Sequence, residues 1–349
     1  MSDSPITSGM TGKTFRVGDF LLKEWEPGEE ERIVAAFNRV FAKADPNFRP
    51  RSLDFWRWQY LDNPSGKLLI HAEAPDGSVA AHHGFINQRL LLEGRPSLCG
   101  QMVDSMVDPA YRRGLQRVSL SATLSNSFIG HTGGEGAQLH AFYWGAPVPV
   151  AMRIGKALVQ YEVVRTQLKL SCAPAEVRLQ GASGISVEEP ASFPEDTVEF
   201  FRKVAHCYKA IAVRDQPQLD WRFVRHPECR FSIATARLGG ELRGYAVYSH
   251  GSFDGFEEGL VCDWLVHPDD GAAANALWAW LVEKARASSA ERLTAVFPET
   301  VPDWIRFQEA GFRAAPTQYP FVARTCVRRF DPPWLRRNWY YTLGDTDLV

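Results

Sequence analysis

Apolar and polar positions run along this chain in two successive series of the same order. The first opens on a strand-like stretch at residues 19–25. From Glu29 onward Ile33, Phe37 and Phe41 then recur every four residues, which predicts an amphipathic helix with one face in a core. The aromatic segment Phe55-Trp56-Arg57-Trp58 precedes three β-like runs at 67–74, 79–92 and 98–107. Asp76-Gly77 and Glu93-Gly94 separate them, so an antiparallel meander is expected. A helix is predicted at 115–129, with Leu120, Leu124 and Phe128 on one face and the glycine-rich stretch 130–136 ending it. A strand at 137–144, a turn at Gly145-Ala146-Pro147, a short helix ending near Gly155 and a strand to about Leu170 complete the series.

Residues 171–186, rich in Ala, Gly, Ser and Pro, read as a linker. Beyond them the order returns: strands at 230–238, 243–250 and 259–266, then a helix with Leu277, Trp280, Leu281 and Ala285 on one face. A strand at 292–298 and a helix at 302–310, closed by Gly311-Phe312, follow. Trp56-Arg57-Trp58 with Pro64 matches Trp221-Arg222-Phe223 with Pro227, and Asp104-x-x-Val107-x-Pro109 matches Asp263-x-x-Val266-x-Pro268. More loosely, Pro149 to Gly155 matches Pro302 to Gly311. In one order and at nearly constant offset, these matches indicate an internal duplication. The expected layout is an N-terminal domain at 15–170, a linker at 171–186, a C-terminal domain at 187–330, and an aromatic tail at 331–349 docked on the body.

At 349 residues, two cores are expected rather than one. Hydrophobic residues at 45% against 23% charged residues leave no case for wholesale disorder. A net charge of −2 gives no electrostatic reason for a nucleic-acid or anionic-membrane partner, so a small-molecule substrate is expected. The six cysteines form no Cys-x-x-Cys pair and no zinc spacing, so no metal is expected. With neither an apolar leader segment nor a run long enough to insert in a membrane, the expected compartment is the cytoplasm.

The chemistry concentrates in Met102-Val-Asp-Ser-Met-Val-Asp-Pro-Ala-Tyr-Arg-Arg-Gly-Leu-Gln-Arg117. A strand ends at Val107, Asp108-Pro109 stops its pairing, and a basic loop containing Gly114 leads to a helix N terminus. Free backbone N–H groups, the helix dipole and the guanidinium groups of Arg112, Arg113 and Arg117 can converge there on a pyrophosphate.

This stretch resembles the GNAT superfamily of acyl-coenzyme A (acyl-CoA) dependent N-acyltransferases, whose fourth strand ends in a Val-x-Pro-like step before Tyr-Arg and a basic, glycine-containing loop. The resemblance spans roughly 15–168 and 186–330. It implies an α+β chain of two tandem GNAT-like domains, each a largely antiparallel mixed sheet flanked by helices. It further implies acetyl-CoA or another acyl-CoA as co-substrate, held by Met106, Val107, Arg112, Arg113, Gly114, Leu115, Gln116 and Arg117. The expected reaction moves an acyl group, acetyl first, to the primary amine of a small polar acceptor such as an amino sugar or polysaccharide precursor. The loop departs from the family pattern, with Tyr111 three residues before Gly114 and Gln116 two after it. The second copy reads Val266-His-Pro-Asp-Asp-Gly271, whose two carboxylates repel a pyrophosphate, so only the first copy is expected to bind cofactor.

Acyl transfer needs a proton acceptor for the amine, donors for the oxyanion and a proton for the leaving thiolate. Asp104, the carboxylate within the strand, shares a face with Met106 if side chains alternate, and is the candidate base. The family's usual acid, a tyrosine four residues before the glycine of the short helix, is Ala151 here and Phe307 in the second copy. Tyr143 is the alternative acid. Asp263, the counterpart of Asp104, is the candidate substrate-binding residue. Two other readings stay open: an aminoacyl transferase of the Fem type, and a non-catalytic GNAT-like binding or scaffold protein.

Overall fold

The computed structural model describes residues 14–45, 48–112, 119–181 and 184–349. It divides the chain into two compact units. Unit 1 holds residues up to 89, 96–164 and 321–332. Unit 2 holds 90–95, 165–320 and 333–349.

Unit 1 begins with the hairpin β1 (Thr14–Val17) and β2 (Phe20–Glu24). Helix α1 (Glu30–Ala44) buries Ile33, Val34, Ala36, Phe37 and Val40, as its apolar period requires, and opens on the acidic pair Glu30 and Glu31. Helix α2 (Leu53–Tyr60) starts where the Ser52 side chain accepts the Phe55 N–H at 3.1 Å. Strands β3 (Lys67–Glu73), β4 (Val79–Leu92) and β5 (Arg95–Val107) form the expected meander. β4 is buried along nearly its whole length, with His82, His83, Asn87 and Gln88 among its buried residues. Helix α3 (Leu120–Thr132) is capped by Ser119, whose hydroxyl accepts from the Ala122 N–H. It lays Leu124, Phe128 and Ile129 against Leu68, Ile70, Phe85 and Tyr143 in the core. β6 (His140–Gly145) and α4 (Pro149–Ile154) follow.

Unit 2 repeats this order. It uses β7 (Glu162–Cys172) from Arg165 onward, β8 (Ile185–Glu188), α5 (Thr197–Ala205), β9 (Ala210–Ala212) and α6 (Gln216–Leu219). Then come β10 (Ser232–Leu238), β11 (Glu241–Phe253), β12 (Phe256–Val266), α7 (Gly271–Ala287), β13 (Leu293–Ala295) and α8 (Pro302–Glu309). The first part of β14 (Arg313–Thr325), most of α9 (Pro332–Asn338) and β15 (Trp339–Tyr340) close it.

Unit 2 pairs β9 with β15 in parallel, and along the main strand order each unit has a parallel pair among antiparallel neighbours, β5 with β6 in unit 1 and β12 with β13 in unit 2. The strand beyond that pair distinguishes the structure from the sequence expectation. In unit 1 it is the end of β14, with Val322↔Gly145 to Thr325↔Phe142; in unit 2 it is β7, with Leu293↔Cys172 to Ala295↔Leu170. The unit borders therefore differ from the expected 15–170 and 187–330. Ser171 and Cys172, placed in the linker, are ladder residues, and Ile185–Glu188 is a strand paired with β10. The tail is part of unit 2, where Trp339, Tyr340, Tyr341 and Leu343 are buried and β15 pairs with β9. The segment around Trp56 is a helix, and its counterpart, Asp220–Val224, is a helical turn following α6.

Candidate active site

The site is built where β5 runs on beyond the end of β6. Their parallel register runs from Leu98↔His140 to Gln101↔Trp144, while β5 continues to Val107. Met102 follows the last pair, and its sulfur accepts the Tyr161 hydroxyl at 2.7 Å. Tyr161 packs on Gly155, where a Cβ would lie 2.0 Å from its ring. Burial pushes the Tyr161 phenol up, so it stays protonated and able to donate. Sequence reading passed over Tyr161; the signal was Gly155, whose missing side chain makes room for the ring.

At the end of the strand Met106 is buried and Val107 half-buried. Asp108 caps the turn Pro109–Tyr111 by accepting the Ala110 N–H at 3.0 Å, and also meets Arg39 at 3.0 Å. Arg112 folds back, its Nε donating to the Val107 carbonyl at 2.9 Å. The structure thus brings Met106, Val107 and Arg112 together. Arg113, Gly114, Leu115, Gln116 and Arg117 lie outside the described residues.

Asp104 has φ of +51°. The alternation that would put it on one face with Met106 presumes extended backbone, and it does not carry through a left-handed residue. Its carboxylate accepts from the Tyr60 hydroxyl at 2.6 Å, from Gln59 Nε2 at 3.3 Å and from Arg51. The Arg51 guanidinium also lies over the rings of Phe37 and Phe55. Burial, with the Asp104 charge beside it, raises the Tyr60 phenol well above its ordinary range. These contacts clamp α2 to β5 and make Asp104 an anchor, rather than a base exposed to an amine.

Asp263 occupies the matching place in unit 2 and is only 2% exposed. It accepts from Arg214 Nε at 3.2 Å, from the Tyr245 hydroxyl at 2.8 Å and from the Thr342 hydroxyl at 2.9 Å. Arg214 reaches Asp345 as well, at 2.7 Å. This closed network holds the tail inside unit 2 and gives Asp263 no open face for a substrate.

Tyr143, the candidate acid, is 1% exposed. It stacks on His140 at 4.7 Å, meets Phe85 edge-on at 5.3 Å, and shares a hydrogen bond with the Thr132 hydroxyl. Burial raises its phenol well above the ordinary range. Tyr143 is thus a core residue with a satisfied hydroxyl. Tyr143→Phe should cost about 1 kcal/mol of stability and leave turnover within about twofold. Thermal melts and steady-state rates check this, and a tenfold loss of rate with unchanged stability would make Tyr143 catalytic.

The two helix N termini that follow the parallel-pair strands differ in charge. That of α3 is capped by the neutral Ser119. That of α7 is capped by Asp270, which accepts the Ala273 N–H at 3.0 Å and pairs with Arg243 at 2.7 Å. At α7 a carboxylate already fills the place an anion would take, whereas the cap of α3 carries no charge. Among the described residues one group has metal-ligand spacing, Glu29, His71 and Glu73. Arg32 and Lys23 already neutralise its carboxylates, so it is an ion-pair cluster. No helix among the described residues is long and apolar enough to cross a membrane.

No family model matches the sequence, and no curated protein matches it. Solved structures do resemble it. A conserved protein of unknown function from Enterococcus faecalis V583, described as a probable N-acyltransferase, has a TM-score of 0.63 at 14% identity, over 89% of this chain and 74% of that one. A GCN5-related N-acetyltransferase from Kribbella flavida has 0.62 at 16% identity, over 89% and 72%. A tandem GNAT protein from the clavulanic acid biosynthesis pathway has 0.55 at 13% identity, over 88% of this chain and 98% of its own length. The chain therefore has the fold of the GCN5-related N-acyltransferases, in an arrangement that a tandem GNAT protein shares along nearly its whole length.

Proposed function

We propose that the chain is an acyl-CoA dependent N-acyltransferase working in the cytoplasm. It transfers an acyl group, acetyl first, to the primary amine of a small polar acceptor, with amino sugars and polysaccharide precursors as the first class to try. The observation that carries this reading is that β5 runs on to Val107 beyond its last pair with β6, Gln101↔Trp144, in a unit whose following helix has no carboxylate at its N terminus. Acyl-CoA supplies an activated thioester carbonyl. Arg112, with the basic loop that follows it, would hold the phosphates. The backbone of β5 near Met106 and Val107 would meet the carbonyl oxygen, and Tyr161 would keep a proton for the departing sulfur. Asp104 contributes by fixing α2 against the strand.

The reading is tested by release of free thiol when the protein is mixed with acetyl-CoA and a panel of primary amines. Amine-dependent release above the rate without protein is the expected result. No release with any amine, from a protein that nevertheless binds acetyl-CoA, would favour a binding protein over an enzyme.

A further inference from the structure

Beside the anchored Asp104 stands an exposed serine with an imidazole behind it. The Ser105 hydroxyl lies 2.7 Å from Nδ1 of His83, a β4 residue that is 2% exposed. The other ring nitrogen, Nε2, lies 3.2 Å from the Ser121 carbonyl, with the hydroxyls of Ser121 at 3.2 Å and Ser125 at 3.3 Å around it. A carbonyl oxygen can only accept, so the tautomer that satisfies it carries the ring proton on Nε2 and presents a lone pair at Nδ1. In that tautomer the Ser105 O–H donates inward to Nδ1. Burial, then the neighbouring His82, lowers His83 to about 4, so the ring is neutral at pH 7. A hydroxyl within hydrogen-bond reach of a neutral base, with that base oriented by a third group, is the arrangement of an activated nucleophile.

We propose that Ser105 is a nucleophile that accepts the acyl group covalently, with His83 as its base and the Ser121 carbonyl orienting the ring. The proposal rests on the acyl-CoA reading above and deepens it, since a stepwise route through an acyl-serine replaces direct transfer. Ser105 lies between Asp104 and Met106, on the part of β5 beyond its pairing with β6. In the first step the Ser105 oxygen bonds to the thioester carbonyl carbon while its proton passes to His83 Nδ1. The carbon–sulfur bond breaks, and the thiolate takes that proton in place of the one Tyr161 would give in direct transfer, leaving a neutral His83 and an ester on Ser105. In the second step a primary amine attacks the ester carbon. The amine proton returns through His83 to the Ser105 oxygen, and the amide departs. No electron is gained or lost in either step. Because burial makes His83 a weak base, acylation is slow relative to a triad whose histidine is backed by a carboxylate.

The test mixes the full chain with acetyl-CoA in the absence of amine, quenches in acid, and reads the intact mass and the modified peptide. One acetyl group on Ser105, matched by one equivalent of free coenzyme A, is the expected result. Ser105→Ala should abolish the acetylation while keeping the thermal shift that acetyl-CoA produces. His83→Asn, folded as judged by its own melt, should slow acetylation about a hundredfold. Wild-type protein that is stabilised by acetyl-CoA yet stays unmodified at all times overturns the nucleophile, as does acetylation of another residue or of Ser105→Ala. Wild-type protein that acetyl-CoA does not stabilise overturns the acyl-CoA reading and this proposal with it.

Discussion

Lowering the pH from 7.5 to 5.5 should remove several kcal/mol of stability from unit 1. His71, His82, His83 and His140 are all buried there. Burial is the largest influence on each, lowering His71, His83 and His140 to about 4 and His82 to about 3. The folded rings are neutral where the unfolded ones, with an ordinary value near 6.5, begin to protonate. The unfolded chain therefore binds more protons as the pH falls, and stability present above about 6.5 is lost on the way down to about 4. One unit below the unfolded value, each such histidine costs about 1 kcal/mol or slightly more. Four together approach about 5 kcal/mol. That is comparable to the whole stability of an ordinary domain. Urea unfolding at the two pH values measures it, and a midpoint that does not fall would mean that these rings are not buried neutral.

Arg214→Met should destabilise unit 2 by about 3–5 kcal/mol, because it leaves two carboxylates buried without their cation. Asp263 and Asp345 both lean on this guanidinium. Burial is the largest influence on Asp345 and raises its carboxyl, so the arginine is what allows the charged form to persist there. The change corresponds to roughly 10 °C in melting temperature for a unit of this size. Arg214→Lys keeps the charge but loses the forked geometry that reaches both aspartates, and should recover part of the loss. A shift of less than about 1 kcal/mol in Arg214→Met would show that the tail is held by its buried aromatics alone.

The elements legible in the sequence were those with an unbroken local signal. β4 was expected at 79–92 and is found at Val79–Leu92, because turn residues Asp76-Gly77 and Glu93-Gly94 bound it on both sides. The duplication was legible because each copy repeats the same short motifs. Helix α2 was left as an aromatic segment: its eight residues are too short for a helical period to stand out, and the Ser52 cap was its one clear sign. The closing strands were not legible, since Val322↔Gly145 and Leu293↔Cys172 join residues far apart in sequence that local composition cannot match. The candidate site was read unevenly for the same reason. The Val-x-Pro step and Arg112 are local features. The left-handed backbone of Asp104, the enclosure of Tyr143 and the meeting of Ser105 with His83 arise from packing between strands and helices.

The central claim is that unit 1, and not unit 2, binds an acyl-CoA. Calorimetric titration of the full chain with acetyl-CoA tests it most directly. The account predicts one saturable site per chain, weakened by Arg112→Ala and untouched by Asp270→Asn, with about 2.7 kcal/mol of added stability at a hundredfold excess over Kd. Two equivalent sites, or no saturable binding at all, would contradict it.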